Sequence, residues 1–167
     1  MIYKFKWKKN LFDYEKQFAE QEIVRFIGFS DIKRYDEGLL VESDILIESN
    51  RLKMLTYFKE VEVGQKTIIP EIIQWEKSAF KNENTRQSTR YFSHGIHEYK
   101  GKFNPQVVHS ILRQWNVSKK DSVYDPFAGS GTTLLESALA GVKSFGTDVN
   151  PLAVMISNAK QDSLRIN

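Results

Sequence analysis

The chain has 167 residues, of which 41% are hydrophobic and 13% aromatic, enough for one domain plus a small appendage. It contains no cysteine, which excludes disulfides and thiolate metal sites and fits a reducing compartment. A net charge of +3 does not by itself announce nucleic acid, and no apolar run reaches the length of a membrane span, so a cytoplasmic chain without membrane partners is expected.

The first 80 residues read as a small α+β unit. Tyr3, Phe5 and Trp7 alternate with Lys4, Lys6 and Lys8, the two-residue period of a strand with one wet face. Phe12, Ala19, Ile23, Phe26 and Ile27 share one helical face, and Gly28 is placed to stop that helix. Leu39-Leu40-Val41 and Ile45-Leu46-Ile47 are strand-like runs separated by Glu42-Ser43-Asp44. Asn50 is read as the cap of a helix carrying Leu52, Leu55 and Phe58 and ending at Gly64. Residues 81–90 are polar and linker-like. Lys81, Arg86 and Arg90 lie in or beside this stretch among interleaved aromatics, a composition that suits a phosphate backbone and stacked bases as well as it suits a solvated linker.

The second unit runs over 91–167. Asn104-Pro105 forms a cap and first-turn pair for a helix with Val108, Ile111, Leu112 and Trp115 on one face. Val123-Tyr124 forms a short strand, the residues from Leu134 to Leu139 form a helix, and Gly141 stands where a left-handed cap belongs. Ser144 to Thr147 is a second strand, and Asn150-Pro151 opens a last helix with Ala153, Ile156 and Ser157. The order helix, strand, helix, strand, helix argues for a parallel sheet with crossover helices, an α/β arrangement. His94 and His97 are close in sequence, but no third ligand is evident and no metal is expected. His109 is read as a surface or packing residue.

Between the first strand and its helix runs Asp125-Pro126-Phe127-Ala128-Gly129-Ser130-Gly131-Thr132-Thr133. Two glycines allow main chain to approach a ligand closely and to present amides at a helix start. Asp148, at the end of the next strand, is placed to accept hydrogen bonds from two ribose hydroxyls. The stretch lacks the Gly-Lys-Ser/Thr ending of a phosphate loop, and Leu134 stands where a dinucleotide fingerprint has its third glycine.

The nonapeptide closely resembles motif I of the amino-directed DNA methyltransferases (adenine-N6 or cytosine-N4), with Asp148 at the place of their ribose-binding acid. The segment from His94 to Gln106 resembles the one that precedes motif I and folds against the methionine end of S-adenosylmethionine. The resemblance implies a Rossmann-like parallel sheet, here its first two strands and flanking helices, and S-adenosyl-L-methionine as cofactor. It implies that Phe127 packs against the cofactor, that backbone around Pro126, Ala128, Gly129 and Gly131 meets its methionine part, and that Asp125 orients its amino group. It further implies that Asp148 binds the ribose and that Lys102, Phe103 and Thr132 serve the methionine end.

Members of that family hold the target amine with a Ser/Asn/Asp-Pro-Pro-Tyr/Phe loop. The four prolines here are Pro70, Pro105, Pro126 and Pro151, and no two are adjacent. No catalytic residue is therefore assigned in this chain. The expectation is the cofactor-binding portion of a split or truncated restriction-modification type DNA methyltransferase, with a second polypeptide supplying the other strands and the loop. A fragment of an RNA base methyltransferase and a non-catalytic binding module are the alternatives.

Overall fold

The computed structural model describes residues 1–79 and 88–165. The chain divides into two compact units, Met1–Ser88 with Arg113–Asn116, and Thr89–Leu112 with Val117–Asn167. Among the described residues no helix is long and apolar enough to cross a membrane.

The first unit is built on a five-stranded antiparallel sheet in the order β2-β3-β1-β4-β5, with β1 (Ile2–Trp7) at its centre. Its partners are β2 (Lys33–Tyr35), β3 (Gly38–Glu42), β4 (Phe58–Val63) and β5 (Lys66–Ile68). Tyr3 and Phe5 are fully buried, as the alternation requires, and join Ile23, Leu39, Val61 and Leu55 in one core. Helix α1 (Asp13–Gln21) continues through a π-helical stretch, Glu22–Ile27, and stops at Gly28, whose φ of 95° is left-handed.

Four local expectations change in this unit. Lys8 is buried rather than wet, and its ammonium lies 2.8 Å from Glu76 on α3 (Glu71–Ala79). Ile45 to Ile47 is not a strand: the Ile45 carbonyl accepts from the Tyr3 hydroxyl at 2.8 Å, and the Ile47 amide donates to the same oxygen at 3.0 Å. One side chain thus satisfies backbone that a neighbouring strand would otherwise pair. The helix expected from Asn50 to Gly64 shrinks to α2 (Ser49–Lys53), because Phe58 enters β4. The Glu-Val-Glu-Val alternation of that strand carries a period of two, with Lys6 on the adjacent strand salt-bridged to both Glu60 and Glu62. Gly64, at φ 59°, belongs to the turn between β4 and β5. Strand β2 and helix α3 were not anticipated from the sequence pattern.

In the second unit, β6 (Ser122–Asp125) and β7 (Lys143–Gly146) pair in parallel with Tyr124 opposite Phe145 and Asp125 opposite Gly146. Helix α5 (Thr132–Leu139) makes the crossover, α4 (Pro105–Gln114) precedes β6, and α6 (Pro151–Asp162) follows β7. The two Asn-Pro pairs act as expected: Asn104 Oδ1 accepts from the Gln106 amide and Asn150 Oδ1 from the Leu152 amide, both at 3.0 Å. Gly141 is left-handed at φ 71°. Trp115 departs from the expected apolar face and is 70% exposed, because α4 ends one residue before it.

The double use of the Tyr3 hydroxyl gives a direct check. Tyr3→Phe removes the partner of a part-buried carbonyl and amide and is expected to destabilise the first unit by about 1 kcal/mol. Urea unfolding of the full chain, followed by tryptophan fluorescence, measures it, and an unchanged midpoint would show that the hydroxyl contributes nothing.

Candidate functional site

The glycine turn joins the carboxyl end of β6 to α5, and its conformation is set by four internal hydrogen bonds. Asp125 Oδ1 accepts from the Phe127 amide at 3.0 Å, an aspartate turn that starts the reversal. The Ala128 amide donates to the Thr147 carbonyl at 2.9 Å, and the Gly131 amide to the Ala128 carbonyl at 2.8 Å. The Gly129 amide donates to Asp148 Oδ2 at 2.8 Å, while Asp148 Oδ1 accepts from the Asn150 amide at 2.9 Å. Both carboxylate oxygens of Asp148 are thus anchored through one lone pair each, which leaves the others for outside donors. The amides of Ala128, Gly129 and Gly131 close the turn itself.

Glycine is required at two places in this turn. Gly129 sits at φ 50°, and a Cβ there would stand 3.4 Å from the Tyr99 ring. Gly131 sits at φ 77°, and a Cβ would fall 2.2 Å from the Ser157 hydroxyl oxygen of α6. The second contact shows why the turn can close on the last helix only without a side chain. Thr132, the first residue of α5, is buried, and Gly131 occupies the cap position.

Large apolar groups stand uncovered at the turn and in the loop before α4. Phe127 is 86% exposed, Val149 beside Asp148 is fully exposed, and Phe103 is 64% exposed. Pro126 is exposed as well. Lys102 points its ammonium at backbone, donating to the His94 carbonyl at 3.1 Å and the Thr89 carbonyl at 3.4 Å. Burial, reinforced by the nearby Arg90, holds its pKa below the ordinary lysine value. Arg90 is ion-paired with Glu98 on an exposed surface. Lys81 and Arg86, the other candidates for a phosphate backbone, lie outside the described residues.

Sequence reasoning missed a fully buried polar cluster of this unit. Glu136, in the middle of α5, is fully buried, and its carboxylate accepts from the Tyr91 hydroxyl at 2.7 Å, His94 Nε2 at 2.8 Å and His109 Nδ1 at 3.0 Å. Acceptance by a carboxylate assigns the proton of each imidazole to the bonded nitrogen. His109 is therefore a buried partner and not a surface residue. His94 turns inward while His97 is exposed, so the two imidazoles do not converge. The one signal in the sequence is that Glu136 is the sole charged residue of α5.

With this geometry in place, the comparisons with known proteins decide the family. Residues 5–159 match the DNA methylase family of N6 and N4 methyltransferases. The chain belongs to that family. It is 34% identical over 146 residues to the type II methyltransferase M.MjaII of Methanocaldococcus jannaschii, an alignment covering 87% of this chain and 26% of the relative. It is 39% identical over 83 residues to the type II methyltransferase M.MvaI of Kocuria varians, covering 48% of this chain and 17% of the relative. It is 22% identical over 113 residues to a tRNA (guanine(10)-N2)-dimethyltransferase of Methanothermobacter thermautotrophicus, covering 68% and 32%. The chain thus spans a minor share of the length of these relatives.

In this DNA methylase chain the buried carboxylate makes stability acid-sensitive. Burial alone would raise the Glu136 pKa, but the hydrogen bonds from His109 and His94 outweigh it and hold the group at about 2, against 4.5 ordinarily. Burial also keeps His94 below its ordinary 6.5. Both groups bind protons more readily in the unfolded chain, so both contributions are lost as pH falls. Thermal melts by circular dichroism should show stability declining once pH drops below 6.5, and further between 4.5 and about 2. A melting temperature constant from neutral pH to pH 4 would contradict this.

Proposed function

We propose that the second unit is the S-adenosylmethionine-binding portion of a DNA amino-methyltransferase, built on the first two strands of a Rossmann-like sheet. The observation that carries the reading is the Asp148 carboxylate, anchored by the Gly129 and Asn150 amides at the tip of β7 with lone pairs left over. A ribose offers two hydroxyl donors that match those lone pairs. The exposed Phe127 ring and Val149 supply apolar surface for a nucleobase, and Asp125, at the neighbouring strand tip, serves to orient the cofactor's amino group. The main chain of Pro126, Ala128, Gly129 and Gly131, the amides of the last three already used within the turn, would pack against the methionine end, with Thr132, Lys102 and Phe103 serving it as well.

The cofactor supplies an electrophilic methyl group on sulfonium sulfur. The residues of this chain contribute positioning: they hold the nucleoside and the methionine tail so that the methyl faces an incoming amine in line. Little covalent help is needed from the protein for such a transfer. The Pro-Pro loop that accepts the hydrogens of the target amine does not occur among these 167 residues, and in this reading further polypeptide supplies it together with the remaining strands. The domain division in this proposal places the small α+β unit in 1–80, a linker in 81–90 and the cofactor unit in 91–167. Duplex DNA is the expected substrate. The distant tRNA methyltransferase relative makes RNA the second reading, and it is an arm of the test.

Phe127 offers a clean probe because it is 86% exposed and contributes little to the core. By calorimetry the chain should bind S-adenosylmethionine, and Phe127→Ala should weaken binding about tenfold with an unchanged melting temperature. The chain, supplemented with a polypeptide carrying the Pro-Pro loop, should transfer label to duplex DNA in preference to tRNA. Absence of binding with and without that supplement would overturn the reading, and transfer to tRNA alone would replace DNA by RNA.

A further inference from the structure

The cofactor unit has two separate segments that must meet one ligand: the turn 125–132 with Asp148, and the loop that carries Lys102 and Phe103. Along the chain α4 and β6 separate them. Glu136 stands on α5, the helix that the glycine turn opens, about one turn in from its start. Its three donors bracket the loop: Tyr91 and His94 precede Lys102, and His109 on α4 follows it. A chain of hydrogen bonds then leads to the loop's cation. Glu136 Oε1 holds the His94 imidazole at 2.8 Å, and the His94 carbonyl holds the Lys102 ammonium at 3.1 Å.

We propose that Glu136 is a positioning residue which, through His94, sets Lys102 to receive the carboxylate at the methionine end of the cofactor. The proposal rests on the cofactor reading given above. Two further features support it. Lys160 of α6 is fully buried, its ammonium has no hydrogen-bond partner among the described residues, and it faces Lys102 closely enough that burial and that like charge bring its pKa to about 8. Two ammonium groups held near each other, with only the exposed and Arg90-paired Glu98 acting on one of them, favour an anion from outside. Moreover, Lys102 is fastened only through carbonyl oxygens in the described hydrogen bonds, which fix its direction without neutralising it. Were Glu136 simply a core residue, an apolar side chain of its size would serve α5 at least as well, because burying a carboxylate is costly.

The test compares two ligands that share the nucleoside and differ in the tail. S-adenosylhomocysteine carries the amino acid end, and 5′-methylthioadenosine lacks it. With the full chain, Glu136→Gln is expected to weaken S-adenosylhomocysteine about tenfold and to leave 5′-methylthioadenosine within about twofold of wild type. Lys102→Met should show the same selective loss, and the double variant should be no worse than Lys102→Met alone. Should Glu136→Gln fail to fold, His94→Gln carries the same expectation through the next link of the chain. Equal weakening of both ligands, an unaffected S-adenosylhomocysteine, or additive losses in the double variant would each overturn the positioning role while leaving the cofactor reading intact. A wild-type chain that binds neither ligand, with or without a polypeptide carrying the Pro-Pro loop, would overturn both.

Discussion

A single carboxylate, that of Glu136, organises the second unit. Its burial would cost several kcal/mol if it stood alone. It does not stand alone, because a phenol and two imidazoles converge on it within 3.0 Å. Each of these donors comes from a stretch with little regular structure of its own or from its flanking helix. The segment from Tyr91 to Phe103 contains a single short 3-10 turn, Phe92–Gly95, and has few apolar anchors. Removing any donor leaves a buried charge short of a partner, so the network acts as a unit, and the loop is held by chemistry rather than by packing area.

The glycine turn is organised on the opposite plan, by backbone. Asp125, Thr147 and Asp148 take the amides of Phe127, Ala128 and Gly129, so the reversal is complete before any ligand arrives. For the cofactor proposed above, a turn of this kind is preformed: it would offer the leftover lone pairs of Asp148 and the faces of Phe127 and Val149, with little ordering entropy to be lost on binding. The same economy explains the glycines. Gly131 is dictated by the Ser157 hydroxyl pressed against it, and Gly129 by the left-handed backbone beneath the Tyr99 ring. The motif is thus a statement about closeness between β6, β7 and α6 as much as about a ligand.

The first unit shows how far pattern reading goes in a small antiparallel sheet. The strand at Tyr3 to Trp7 and the helix closed by Gly28 followed from period and stop signal. The reading of Phe58 failed because Leu52, Leu55 and Phe58 happen to keep a helical spacing across a real boundary, and the two-residue period that starts at Phe58 won once β1 offered it a partner. Lys8 was misplaced for a related reason. Alternation predicts which face a side chain takes, but not that an acid on α3 will be waiting there.

The amino-acid sequence alone determined the local grammar of this protein: the two Asn-Pro helix starts, the left-handed glycines, the parallel β-α-β order and the motif by which its family is known. Those features depend on backbone sterics and on neighbours a few residues away, which any short stretch already specifies. Tertiary structure alone decided which polar side chains would be buried together. Tyr91, His94, His109 and Glu136 are up to 45 residues apart along the chain, and the worth of each as a hydrogen-bonding group depends on water being excluded by all the others. Desolvation is a property of the assembled interior, so no spacing along the sequence announces it.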